Sequence, residues 1–131
     1  MDIEVYFAGG KKVYADFRGF TIKTDQPKKR GGEESAPSPF DLFLVSIGTC
    51  AGYFVQEFCE KRGIPHKDIR IVQRSEKDEK TKVIKKFILQ IELPEDFPEK
   101  YQRAVIKAAE TCIVKKSIAA GPEFEVTAQK L

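Results

Sequence analysis

Asparagine and tryptophan are absent from this 131-residue chain, methionine and histidine occur once each, and cysteine occurs three times. With one histidine, His66, and no cysteines at zinc-ligand spacing, the chain has no metal-binding motif. Cys50, Cys59 and Cys112 are an odd number without a CxxC pair, which argues against a secreted disulfide framework. No GxGxxG or Walker-type loop is present, so nucleotide binding has no support. The longest uncharged stretch, residues 42–56, falls short of the roughly 20 residues that span a bilayer. The opening Met-Asp-Ile-Glu lacks the basic and apolar regions of a secretory signal, so a cytoplasmic protein with no membrane partner is expected.

What is present reads as one soluble globular domain over residues 1–131, with 41% hydrophobic and 33% charged residues. A chain of this size buries roughly two-thirds of its unfolded surface and folds without staples. Lys and Arg total 23 against 20 Asp and Glu, interleaved along the chain, a balance that calls for no nucleic acid. The run Lys28-Lys29-Arg30 has no aromatic interleaving and is followed by Glu33-Glu34, so it reads as a solvated loop.

Alternation of Ile3, Val5 and Phe7, then of Lys12 to Phe17 after Gly9-Gly10, predicts a hairpin, and Phe20, Ile22 and Thr24 add a third strand. Ser38-Pro39-Phe40-Asp41 has the form of a helix start. Ser38 can cap the amide of Asp41, Asp41 can reach back, and Pro39 suits the first helical position. The helix should run to about Arg62, where Gly63 and Pro65 stop it. Residues Leu42 through Phe58 are apolar almost all round, which predicts a buried central helix. Gly48 and Gly52 beside Cys50 predict that something packs close to its backbone. Asp68 to Arg74 and Val83 to Leu93 read as a second hairpin with a charged tip. From Pro98, helical spacing of Tyr101, Ala104, Val105, Ala108, Ala109 and Cys112 predicts an amphipathic helix, which the β-branched run after Thr111 should kink or restart through Ala119. Phe124, Val126 and Ala128 alternate as a last strand. The order is β-β-β-α-β-β-α-α-β, an α+β pattern. Six strands cover so apolar a helix only if the sheet curves strongly or a second copy closes the remainder.

Cys50 and Cys112 both fall on apolar helical faces, whereas Cys59, nine residues or about 900° beyond Cys50, points the other way. On residue type alone, buried cysteines acting as small hydrophobes and a redox pair both remain open.

The stretch from Gly31 to Cys50, GGEESAPSPFDLFLVSIGTC, resembles the signature of the OsmC/Ohr family: a Gly-Gly-acidic loop, a Pro-x-Pro helix entry and an apolar helix ending small-small-Cys. Ala109-Glu110-Thr111-Cys112-Ile113-Val114 resembles the family's second cysteine motif. The resemblance implies an intertwined homodimer in which curved antiparallel sheets wrap long central helices. It also implies a thiol peroxidase acting on small organic hydroperoxides without a cofactor. Cys50 would be the peroxidatic cysteine and Cys112 the resolving one, with a disulfide reduced by an external dithiol, thioredoxin-like or lipoyl-type. Such chemistry needs a stabilised thiolate, for which a cation is expected. Phe40, Phe43 and Phe54 would favour an alkyl or aryl peroxide.

In the hydroperoxide-resistance branch, a glutamate ten positions before the first cysteine pairs with an arginine from the early strands. Here Phe40 holds that position, with Asp41 next to it, and the arginine position falls near Lys11-Lys12. Arg18 and Arg30 are alternative cations, with Glu33 or Glu34 to hold one of them, and each also reads as a solvated loop charge. The competing expectation is a noncatalytic small-ligand binding protein on the same fold.

Overall fold

The computed structural model describes residues 2–131. Its elements are β1 (Glu4–Phe7), β2 (Val13–Phe17), β3 (Phe20–Thr24), α1 (Pro39–Lys61), β4 (Arg70–Lys77), β5 (Ile84–Glu92), α2 (Gln102–Glu110) and α3 (Ile113–Ala119). Single 3-10 turns occur at Lys28–Arg30 and Glu99–Tyr101. The chain forms two compact units, the first ending at Val45 and the second spanning Ser46–Leu131, and α1 runs from one into the other.

In the first unit, β1, β2 and β3 form an antiparallel sheet in that order. The register sets Val5 opposite Ala15, Phe7 opposite Val13, Ala15 opposite Ile22 and Phe17 opposite Phe20, so one face is apolar apart from Thr24, which lies opposite Val13. Its companion face carries Glu4, Asp16, Thr21 and Lys23, paired across the strands. Phe7 is 89% exposed and Phe20 66%, so the apolar face is uncovered in the single chain.

The loop after β3 is organised by Asp25, the one buried charged residue among those described. Its carboxylate accepts from the amides of Gln26 at 2.7 Å, Glu33 at 3.3 Å and Ser35 at 3.1 Å, and from the Ser35 hydroxyl at 2.6 Å. The Ser35 hydroxyl and the three amides outweigh the burial that opposes them and bring the Asp25 pKa down to about 2.

Helix α1 starts and stops where the sequence says. Ser38 N–H donates to the Asp41 carboxylate at 2.9 Å, and Asp41 N–H donates to Ser38 Oγ at 3.2 Å, a reciprocal capping box. At the other end, Gly63 takes φ +66°, Ile64 N–H bonds the Cys59 carbonyl, and Gly63 N–H bonds that of Glu60. This is the left-handed glycine closure of a helix. By length and composition alone α1 could cross a membrane. Only one stripe is buried in the single chain, Ile47, Ala51, Val55, Phe58 and Cys59, whereas Val45 and Tyr53 on the other side are exposed. The all-round burial expected of α1 is therefore not reached within one chain.

In the second unit, β4 and β5 form an antiparallel hairpin longer at its tip than expected, with Lys77 still paired to Ile84. Ile71 of β4 lies 3.8 Å, and Gln73 Oε1 2.5 Å, from where a Cβ would stand at Gly52 and Gly48 respectively. The two glycines thus admit β4 against α1, the close approach their position predicts. Gly52→Ala meets only ordinary contact, so it should stabilise the chain by about 0.5–1 kcal/mol, the helix-propensity gain. Gly48→Ala must displace the Gln73 amide and should gain less. Urea midpoints of the two variants check the order. The core gathers Val55, Phe58, Cys59, Ile64, Phe97 and Val105. The Arg62 guanidinium stacks 3.7 Å over the Phe58 ring and donates to the Phe58 carbonyl.

One expected element is missing. Residues after Ala120 carry no helix or strand, and Phe124 and Val126 are more than nine-tenths exposed. A strand exists only by its ladder bonds, and within this chain the alternating tail has no ladder partner.

Candidate active site

Cys50 sits at the centre of α1, and Cys112 occupies the joint between α2 and α3. After α2 ends at Glu110, Thr111 and Cys112 leave helical geometry, Cys112 with φ −49° and ψ 123°, and α3 starts at Ile113. Cys112 is thus the N-cap of α3, and its Sγ accepts the Lys115 N–H at 3.3 Å. The restart foreseen after Thr111 is what turns the chain so that Cys112 faces α1. Its Sγ lies 4.0 Å from the Ile47 carbonyl, one turn before Cys50, and the two cysteine side chains are close enough for each to act on the other's ionisation.

The two sulfurs differ electrostatically. Burial pushes the Cys50 thiol up, but hydrogen bonds from the Val114 amide, the Cys112 side chain and the Ile113 amide outweigh it, leaving Cys50 below its ordinary value. Burial pushes Cys112 above its ordinary value, the Lys115 amide opposing and the bond to Cys50 and its charge adding to the rise. Cys50 is therefore the more acidic thiol of the two and Cys112 the less acidic, the division a nucleophile and a resolving thiol require. The donors acting on Cys50 are neutral groups of the 112–114 segment. Sequence reasoning looked for a cation and missed these amides, because cysteine is not a preferred N-cap residue and the restart foreseen after Thr111 does not say where the freed N–H groups point.

Cys59 is fully buried among Val55, Phe58 and Val105, and burial raises its thiol despite the Arg62 charge nearby. It takes no part in the pair. Phe54 is half-buried, its ring edge-on to Tyr53 at 5.2 Å.

The remaining candidates lie in the first unit. Arg18 turns the chain between β2 and β3 at φ +53°, with its guanidinium 5.8 Å from the Phe17 ring. Arg30 is exposed on the 3-10 turn. Glu33 pairs with Lys12 at 2.7 Å instead of with either arginine, and the Glu34 carboxylate accepts the Lys28 amide at 3.2 Å. The Phe40 and Phe43 rings pack together at 5.7 Å, Phe40 half-exposed.

The sequence profile described as OsmC-like protein matches residues 31–127, which include Cys50 and Cys112. The chain belongs to the OsmC-like family. No curated protein matches it. Among solved structures it resembles a proposed osmotic-stress-induced and detoxification-response protein of Psychrobacter arcticus, with TM-score 0.73 and 21% identity over 88% of this chain and 85% of that one. An OsmC-like protein of Mycoplasma pneumoniae gives TM-score 0.71 and 13% identity over 92% and 87%. An organic hydroperoxide resistance protein of Legionella pneumophila gives 0.54 and 18% over 90% and 89%. These likenesses establish the OsmC-like fold, an α+β architecture of antiparallel strands and helices.

Proposed function

We propose that this OsmC-like chain is a thiol-dependent peroxidase that reduces organic hydroperoxides to alcohols in defence against oxidative stress. The observation that carries the reading is that Cys112 meets α1 at the Ile47 carbonyl, one turn before Cys50, with the thiol lowered on Cys50 and raised on Cys112. The Cys50 thiolate attacks the outer peroxide oxygen, the O–O bond breaks, the alkoxide leaves and is protonated, and Cys50 becomes a sulfenic acid. The Cys112 thiol, held against the same helix, attacks that sulfur. Water departs and a Cys50–Cys112 disulfide forms, which an external thiol reduces. Solved proteins named for organic hydroperoxide resistance share the fold, which supports the class of substrate.

The protein is proposed to work as a cytoplasmic homodimer. The uncovered apolar face of β1–β3, the exposed Val45 and Tyr53 of α1 and the unpaired tail with Phe124 and Val126 are together more apolar surface than a monomer leaves to water.

Treating the reduced protein with cumene hydroperoxide and counting free thiols tests the chemistry. The count should fall from three per chain to one, Cys59 remaining. Unchanged thiols over hours would instead favour a noncatalytic ligand-binding role, for which a cavity of about 750 Å³ beside Cys112 offers room.

A further inference from the structure

Cys50 and Cys112 act on each other, yet they face different surroundings. The Cys112 residue is only 2% exposed, but it lines a partly open cleft of about 750 Å³ bordered by α1, β4, β5, α2 and α3. Cys50 is partly exposed and does not line that cavity, so its open side lies elsewhere. The walls are apolar for the most part, with Ile47, Ala51, Ile71, Leu89 and Ile106 among them. One acid, Glu110, and one base, Lys115, stand at the cavity, so neither sign of charge is selected. A narrow, neutral, apolar molecule fits this chemistry, and the only sulfur it can reach from inside is that of Cys112.

We propose that the cavity admits the reducing thiol, a neutral apolar alkyl thiol, and that this thiol attacks the Cys112 sulfur of the oxidised protein. The inference rests on the peroxidase reading only for the origin of the disulfide. The entering thiolate forms a new S–S bond to Cys112, the Cys50–Cys112 bond breaks, and its electron pair leaves on Cys50. A second thiol attacks the sulfur of the first, forming a small disulfide and releasing Cys112, which is protonated from solvent. Two thiols are oxidised and one protein disulfide is reduced. Exchange is faster when the departing thiol is the more acidic one. Departure on Cys50 is received by the Ile113 and Val114 amides, whereas attack on Cys50 would expel the buried Cys112 thiolate. Peroxide at the reduced pair and reductant at the oxidised pair then approach the same two cysteines from different sides.

The test starts from the full-length protein bridged with diamide, so that it does not depend on any peroxide reaction. Bridged protein is reduced with 1-butanethiol or with 2-mercaptoethanesulfonate at equal thiolate concentration, quenched in acid, alkylated and mapped by mass. The butanethiol adduct should sit on Cys112 and an alkylated thiol on Cys50. Butanethiol should be faster than the anionic thiol by about fiftyfold or more, of which its more basic thiolate accounts for only several-fold and access for the rest. Ile106→Trp and Ala119→Trp enlarge exposed residues on the cavity wall. Each should slow butanethiol reduction several-fold and leave cumene hydroperoxide oxidation of the reduced protein unchanged. Adducts found mainly on Cys50, wall variants that leave reduction unaltered, or wall variants that slow oxidation equally would each overturn the proposal. Failure of cumene hydroperoxide to form a bridge that diamide does form would count against the peroxidase reading alone.

Discussion

Cys50→Ser should lower cumene hydroperoxide consumption by roughly three orders of magnitude or more, because a serine hydroxyl at neutral pH supplies almost no nucleophilic oxyanion. Cys112→Ser should behave differently. It keeps the attacking sulfur and should consume about one peroxide per chain, then stall as a sulfenic acid that a dimedone-type probe captures. Equal loss in both variants at the first turnover would contradict the assigned division of roles. The wild-type rate should climb with pH as the thiolate forms, with an inflection below the ordinary thiol range, because the Val114 and Ile113 amides and the Cys112 side chain outweigh burial at Cys50. Ile113→Pro isolates one of these donors. Position 113 is the first residue of α3, where proline is tolerated, and the extended ψ of 123° at Cys112 suits the residue before a proline. The variant should retain its fold and shift the inflection upward. An unmoved inflection would show that the Ile113 amide has no part in holding the thiolate.

Asp25→Asn should lower the melting temperature at pH 7, on the order of 5 °C, a size usual for loss of a buried polar network. The carboxylate accepts four hydrogen bonds from residues of its own loop. An amide in its place turns an NH2 group toward donors. The pH dependence gives the sharper test. The folded pKa, about 2, lies below the ordinary 3.8, so the unfolded chain binds the proton more readily. The contribution of Asp25 is therefore complete above about pH 4 and is lost as pH falls toward 2. The melting-temperature gap between wild type and Asp25→Asn should narrow over that window, as followed by circular dichroism. A gap constant from pH 7 to pH 2.5 would refute the carboxylate's role. The loop has little latitude to compensate, since a Cβ at Gly32 would collide with the Gln26 carbonyl oxygen.

Elements set by local rules were legible in the sequence. Ser38, Pro39 and Asp41 declared the start of α1, Gly63 its end, and Gly48 and Gly52 the face on which β4 lies. Thr111 and the β-branched residues after Cys112 announced the break before α3. What depends on groups without side-chain identity was not legible. The amides of Ile113 and Val114 act on Cys50 through backbone geometry, which no residue type encodes, and so attention fell on Arg18 and Arg30. Asp25 passed unnoticed because its partners are again mostly backbone N–H groups. The tail at Phe124 and Val126 carries the alternation of a strand, but alternation specifies a face and not a pairing partner.

The position of Cys50 along α1 has a mechanical consequence. Residues 39–49 precede it and residues 51–61 follow it, eleven on each side within the 23-residue helix. Helices unravel inward from their tips, so the anchor point of this sulfur is the last to be disturbed. Cys112 hangs instead on a two-residue joint ahead of a short helix that buries no side chain. In the proposed step that links the two sulfurs, the longer helix would stay put and the joint would yield, much as a latch closes on a fixed post.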